Sequence, residues 1–303
     1  MFSVVFIFII IVIICGYIGF KFSNIVLYPN TRTIKETYDK EVQCGRIIEK
    51  DFNNLKKEEI KIKSPYGYEL YGLYIPAKEK SFKTIIICHG IKCTLYNSVK
   101  YMDLFINRGF NILLYEHRNH GRSGGTNTTF GYYEKHDLKA WTDWIYEKNG
   151  EDSIVGTFGE SMGASIVLQN LDIDKRVKFC IEDCGYSDME EILKVRLKED
   201  LKLPVFPFLI LARIVSKIRT GISFKEVSPI NSVKNSKVPI LFIHGKKDGY
   251  VPSSMAVDMY NKKSKGIRKI YMPINADHAQ SYSKNRHEYD KVVKEFLEDI
   301  YLY

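Results

Sequence analysis

The chain has 303 residues, of which 45% are hydrophobic and 27% charged, the balance of a globular protein with one large domain or two small ones. Its formal charge is +9, from 45 Lys and Arg against 36 Asp and Glu, but the basic residues are spread along the chain without a block of five or more like charges. That pattern reads as a lysine-rich solvated surface and argues against nucleic acid as a partner. The six cysteines (15, 44, 88, 93, 180 and 184) make no disulfide framework, which favours a reducing compartment. Cys88 and Cys93, with His117 and His120 further on, lack the paired Cys-x-x-Cys units of structural zinc, so neither a metal nor a cofactor is expected.

The first segment is of a different kind. Residues 1–20, MFSVVFIFIIIVIICGYIGF, carry no charged side chain. A helix of that length spans about 30 Å, the hydrocarbon thickness of a bilayer. It has no positive n-region and no small-residue cleavage site, so an uncleaved transmembrane anchor over residues 1–21 is expected, with location at the cell membrane. Lys21, Arg32, Lys35 and Lys40 follow the span while none precedes it, and the positive-inside rule then places the rest of the chain in the cytoplasm. Residues 22–56 read as a polar connector.

From residue 57 onward short apolar runs alternate with helical patterns. Residues 58–63 and 69–75 alternate with period two around the turn Ser64-Pro-Tyr-Gly67, which predicts an antiparallel hairpin. The runs 84–88, 111–115, 153–158, 177–181, 239–243 and 269–272 have the continuous apolar character of strands covered on both faces. Helices are predicted where Val99, Met102 and Ile106, or Leu138, Trp141 and Ile145, or Ala164, Val167, Leu168 and Leu171, share a face. A last helix carries Val293, Phe296, Leu297 and Ile300. The expected fold is α/β, a mostly parallel eight-stranded sheet with helices on both faces. Residues 187–227 break the alternation with two successive helical patterns around the apolar run 203–212, and are expected to form a small helical cap inserted in a domain over 57–303.

Ser161 stands in Gly159-Glu-Ser-Met-Gly163, directly after the strand 153–158 and directly before a helix. That is the context of a nucleophile elbow, where glycines on either side leave room for a serine in a strained conformation. A serine hydroxyl needs a base, and the base needs an orienting acid. His278, in Asn275-Ala-Asp-His-Ala279, follows the last strand at the same edge, and Asp248 lies in the loop leaving the strand 239–243. Asp277 is the rival acid, but it adjoins His278 and would have to fold back on its own neighbour. The oxyanion donors expected are the N–H of Met162, after the serine, and of Ile91, in Cys88-His-Gly-Ile-Lys92. His89 reads as a structural residue of that loop, and Glu160 and Met162 as walls of the site.

His89-Gly90, Tyr115-Glu-His-Arg-Asn-His-Gly-Arg-Ser-Gly-Gly125, the Ser161 elbow, His244-Gly-Lys-Lys-Asp-Gly-Tyr-Val-Pro252 and Asp277-His-Ala279 together resemble the serine hydrolases of the α/β-hydrolase superfamily. The likeness covers about residues 57–300. It is closest to membrane-anchored bacterial members similar to the serine aminopeptidase and monoglyceride lipase branch and to Bem46-like proteins. It implies Ser161, Asp248 and His278 as a catalytic triad with Ile91 and Met162 as oxyanion donors. The chain departs from the family at Glu116-His-Arg-Asn-His-Gly121, where relatives have Asp-x-Arg-Gly-x-Gly. The expected activity is hydrolysis of a carboxylic ester through an acyl-enzyme. The apolar cap and anchor suggest a small-molecule or lipid-like acyl substrate, such as a monoacylglycerol, a lysophospholipid or an acyl thioester. A serine peptidase or aminopeptidase of the same fold, and a non-catalytic membrane-tethered binding protein, are the alternatives.

Overall fold

The computed structural model describes residues 2–303. In chain order its helices are α1 (Phe2–Leu27), α2 (Ile34–Gln43), α3 (Glu49–Asn54), α4 (Asp103–Ile106), α5 (Glu134–Asn149), α6 (Met162–Asn170), α7 (Met189–Leu201), α8 (Phe208–Thr220), α9 (Pro229–Lys234), α10 (Ser254–Lys262), α11 (Ser281–Lys284) and α12 (Arg286–Asp299). The strands are β1 (Glu58–Lys63), β2 (Glu69–Ile75), β3 (Lys83–Cys88), β4 (Asn111–Tyr115), β5 (Ile154–Glu160), β6 (Val177–Asp183), β7 (Ile240–Ile243) and β8 (Arg268–Tyr271). They form one eight-stranded sheet in the order β1-β2-β4-β3-β5-β6-β7-β8. The hairpin partners β1 and β2 are antiparallel, β2 is antiparallel to β4, and every pair from β4 to β8 is parallel.

The apolar runs become inner strands because successive side chains of a strand point to opposite faces, and here helices cover both. Ile85 and Ile87 of β3 face a core with Phe105, Phe110, Phe296 and Leu297. Ile86 and Cys88 face the other side, against Trp141 of α5 and Ile166 and Val167 of α6. All are fully buried, and each large side chain so placed contributes about 1.5–3 kcal/mol.

Two segments differ from what the sequence suggests. The stretch holding Val99, Met102 and Ile106 is a 3-10 turn (Leu95–Tyr101) running into the one-turn helix α4, not a single helix. The polar region after the first apolar segment is structured. α1 continues to Leu27, Thr33 and Glu36 form a capping box at the start of α2, and Ile47 and Phe52 enter the main core.

α1 has two halves. Val4 to Ile14 are exposed, whereas from Gly19 onward the helix lies on α8, one of the three helices between β6 and β7. A Cβ on Gly19 would come within 2.7 Å of the Leu211 carbonyl oxygen, so the glycine permits the close approach. Arg219 Nη1 donates to Ser23 Oγ (2.6 Å) and Asn24 Oδ1 (2.8 Å), and its guanidinium covers the rings of Phe20 and Tyr28.

Asp137, at the start of α5, is buried and accepts hydrogen bonds from Ser64 Oγ (2.5 Å) and Tyr68 Oη (2.6 Å). Burial outweighs those bonds and pushes its carboxyl up to about 7. A carboxyl that protonates more easily folded than unfolded stabilises the fold below its unfolded pKa, and that contribution is lost as the pH rises through about 7. Asp137→Asn should therefore gain stability relative to wild type between about pH 4 and about pH 8, by on the order of 4 kcal/mol. Urea unfolding across that range measures the difference, and a difference flat with pH contradicts the assignment.

Candidate active site

The site is built at the carboxyl edge of the parallel strands. β5 ends at Glu160 and α6 begins at Met162, so Ser161 alone makes the reversal, at φ 56°, ψ −115°. A non-glycine residue in that region carries about 1–3 kcal/mol of strain, which only a well-determined surrounding can hold. The Ser161 amide is tied to the Asp183 carbonyl at the end of β6 (2.8 Å). A Cβ on Gly159 would lie 2.3 Å from the Gly163 carbonyl, and one on Gly163 would lie 2.2 Å from the Cys88 carbonyl oxygen. Both glycines are thus required by contact: they let α6 start against the ends of β3 and β5.

Ser161, His278 and Asp248 meet although 117 and 30 positions separate the successive partners. The Asp248 carboxylate can only accept, so the proton of the His278–Asp248 bond (2.7 Å) sits on Nδ1. Nε2 is left to accept from Ser161 Oγ–H at 2.9 Å. Asp248 Oδ1 accepts the amides of Tyr250 and Val251 (both 2.8 Å), and His244 Nε2, 2.9 Å from the Val251 carbonyl oxygen, also lies 3.1 Å from Asp248 Oδ2. Burial alone would raise this carboxyl. The hydrogen bonds from His244 and His278, the positive charge that His278 can carry and the Val251 amide overrule it and hold Asp248 well below the usual carboxylate range.

The rival Asp277 makes a different contact. Its Oδ1 accepts the amides of Gly249 (3.0 Å) and His278 (2.7 Å), fastening the histidine loop to the Asp248 loop.

Gly90, which precedes Ile91, lies against Ser161: a Cβ there would be 3.6 Å from Ser161 Cβ. Ile91 lines the same cleft as Ser161 and His278, and Met162 N is the first free amide of α6. What positions the Ile91 loop is a set of three buried histidines. His89 Nε2 accepts from the His117 amide (3.1 Å) while its Nδ1–H donates to the Gly90 carbonyl (2.7 Å). His117 Nε2–H donates to the His89 carbonyl (3.1 Å), and His120 Nε2 accepts from the Lys92 amide (3.1 Å). Burial lowers the pKa of all three, and neighbouring imidazoles lower those of His89 and His117 further, to about 3 at His117; each is a neutral ring able to donate and accept at once.

The loop Glu116–Gly121 after β4 supplies two of these rings, His117 and His120. Sequence reasoning placed His89 in a holding role and gave none to His117 and His120. Their one signal in the sequence is the i, i+3 spacing of His117 and His120.

Glu160 and Lys100 pair inside the cleft, and Tyr101 Oη donates to Glu160 Oε2 at 2.5 Å. The cleft is about 460 Å³ and its lining is polar. Buried Cys184 lies beside the acid and base, with ligand-capable atoms of Cys184, Asp248 and His278 within 4.8 Å of one another. Burial pushes its thiol well up, and the other two groups are already committed to hydrogen bonds.

The contact requirement at the elbow has a direct test. Gly163→Ala should cost roughly 1–3 kcal/mol from overpacking and lower the melting temperature by several degrees. Calorimetry beside Ala164→Gly, at a neighbouring helical position, separates contact from helix propensity; an unchanged Gly163→Ala transition contradicts the packing described.

Residues 83–204 match the model of the alpha/beta hydrolase fold. Over 285 residues, 93% of each chain, the sequence is 38% identical to the uncharacterized protein YqkD of Bacillus subtilis. It is 23% identical to the uncharacterized protein YfhR of Escherichia coli over 239 residues, 76% of each chain. Among solved structures, the Pyrococcus furiosus esterase Pf2001 superposes with a TM-score of 0.68 at 24% identity, over 84% of this chain and 95% of that one. An acylaminoacyl peptidase of Pyrococcus horikoshii does so with a TM-score of 0.63 at 20% identity, over 82% of this chain and 42% of that one. These two share the fold. With the sheet order, the match of residues 83–204 and the relative aligned over nearly its whole length, the chain belongs to the alpha/beta hydrolase family.

Proposed function

We propose that the chain is a serine hydrolase that cleaves a carboxylic ester through an acyl-enzyme. The observation that carries this reading is the unbroken hydrogen-bond chain from Ser161 Oγ through His278 to Asp248, at 2.9 and 2.7 Å, on a strained Ser161. Ser161 Oγ attacks the ester carbonyl while its proton passes to His278 Nε2. The carbonyl oxygen takes the electron pair and is met by the amides of Ile91 and Met162. As the carbonyl re-forms, the C–O bond to the leaving group breaks and His278 returns its proton to that oxygen. Water, deprotonated by the same imidazole, then releases the acid and restores Ser161. Asp248 stays ionised throughout and keeps the His278 proton on Nδ1. No cofactor or metal enters this scheme.

The reading extends to location. We take α1 as an uncleaved single-pass anchor, with the hydrolase domain over residues 57–303 on the cytoplasmic side and 187–227 as its cap. Support comes from the two halves of α1. The candidate span takes in nearly the whole helix, 25 residues over Ser3–Leu27; its first part is exposed and apolar, while the part from Gly19 is packed on α8 and its Leu27 carbonyl accepts from the Thr128 amide (2.8 Å). Removal of the whole helix as a leader would strip that packing.

Turnover of p-nitrophenyl esters of increasing acyl length, beside aminoacyl p-nitroanilides, tests the chemistry and the lipid-like acyl group together. Esters should be hydrolysed, and Ser161→Ala should lower kcat by roughly 10⁴-fold or more, with Asp248→Asn close behind. Activity confined to the anilides would make the protein a peptidase, and turnover of neither would make it a binding protein. For the anchor, alkaline carbonate should leave the full chain in the membrane pellet; recovery in the supernatant contradicts a transmembrane α1.

A further inference from the structure

The cleft above Ser161 and His278 is not lined as an acyl-chain slot would be. Five cationic side chains line it, Arg32, Lys40, Arg46, Lys92 and Lys100, against two carboxylates, Glu41 and Glu160. Both carboxylates are already used. Arg46 holds Glu41 through two bonds (2.5 and 2.9 Å), with Asn97 Nδ2 donating to the same group at 3.3 Å, and buried Lys100 holds Glu160. Among the described residues, Arg32, Lys40 and Lys92 have no carboxylate within ion-pair distance, so the cleft keeps a net charge of about +3 (five cations less two carboxylates).

The backbone that carries these exposed cations is held in place. The Arg32 amide donates to the Lys92 carbonyl (3.1 Å), which stitches the segment between α1 and α2 onto the loop bearing Ile91. Arg32 Nη1 reaches Cys93 Sγ (3.6 Å). Lys92 sits at φ 63°, and its amide is pinned by His120 Nε2. Lys40 lies on α2, whose start is fixed by the Thr33–Glu36 capping box. Like charges gathered in a concave site repel one another, and the same field draws in an anion. An apolar cavity of about 160 Å³ lies elsewhere, between α1, α7 and α8, lined by Phe22, Val26, Leu197 and Leu209.

We infer that the ester this site takes carries an anionic group, a carboxylate or a phosphate, seated against Arg32, Lys40 and Lys92 while the acyl carbon meets Ser161. The inference rests on the ester-hydrolase reading and names the substrate class within it. A soluble organic anion and a phosphorylated lipid headgroup present the same charge, and the test separates them.

Full-length protein in neutral-detergent micelles is assayed with two matched pairs. The soluble pair is the p-nitrophenyl monoester of adipate and its methyl-capped form. The lipid pair is a 1-acylglycerol 3-phosphate and the 1-acylglycerol of the same chain. The anionic member of one or both pairs should be favoured about tenfold or more in kcat/KM, within the range of electrostatic focusing, and the pair that responds identifies the source. The ratio should fall toward one in about 0.5 M salt, and in Arg32→Gln and Lys40→Gln. A ratio at or below one in both pairs overturns the inference and leaves the hydrolase reading intact. Absence of turnover beyond the Ser161→Ala background in all four esters overturns both.

Discussion

The conformation of one residue governs this site. Ser161 must turn the chain from β5 into α6 in a single step, at a positive φ that its side chain disfavours. The surrounding sheet holds that strain: the Ser161 amide is bonded to the end of β6, and two glycines let α6 rest against the carbonyl ends of β3 and β5. Remove either contact and the serine can relax into the strand or into the helix. In both cases its hydroxyl leaves the line that now runs through His278 to Asp248. The depth of the fold behind it, five parallel strands buried on both faces with β8 at the edge, is what holds so local a strain.

Around that point the chain uses groups that do not titrate near neutrality to position the proposed triad and oxyanion donors. Three imidazoles kept neutral by burial lock the Ile91 loop to the loop after β4, each ring donating at one nitrogen and accepting at the other wherever both are used. Asp277 joins the two loops that carry the proposed acid and base. The region that follows the apolar helix is part of the same construction, since its Arg32 and Lys40 complete the wall of the cleft. The apolar helix, the segment after it and the cleft form one continuous assembly, which gives an approach to the site flanked by positive charge.

Much of this was legible in the sequence, for identifiable reasons. The β-branched runs announce strands buried on both faces, and the period-two hairpin announces its own pairing. Ser161, His278 and Asp248 could be picked out because each lies in a loop at the end of a strand, and all strand ends of a parallel sheet share one edge. The segment after residue 21 was harder. Helices of ten and six residues carry weak periodicity, and the one strong local signal was the Thr33-x-x-Glu36 capping box. The roles of His117 and His120 were not legible, because they depend on which carbonyl and amide lie opposite across two loops. The same holds for the charge of the cleft: Arg32, Lys40 and Lys92 look like ordinary surface cations until the fold gathers them.

The measurement closest to the central claim is mass spectrometry of the protein after reaction with a fluorophosphonate. A hydroxyl activated by His278 should be phosphonylated, displacing fluoride, with a single adduct on the peptide containing Ser161 and none in Ser161→Ala. Strongly slowed labelling in His278→Ala is expected as well. Failure of the wild type to react, or equal labelling of Ser161→Ala, would contradict the account.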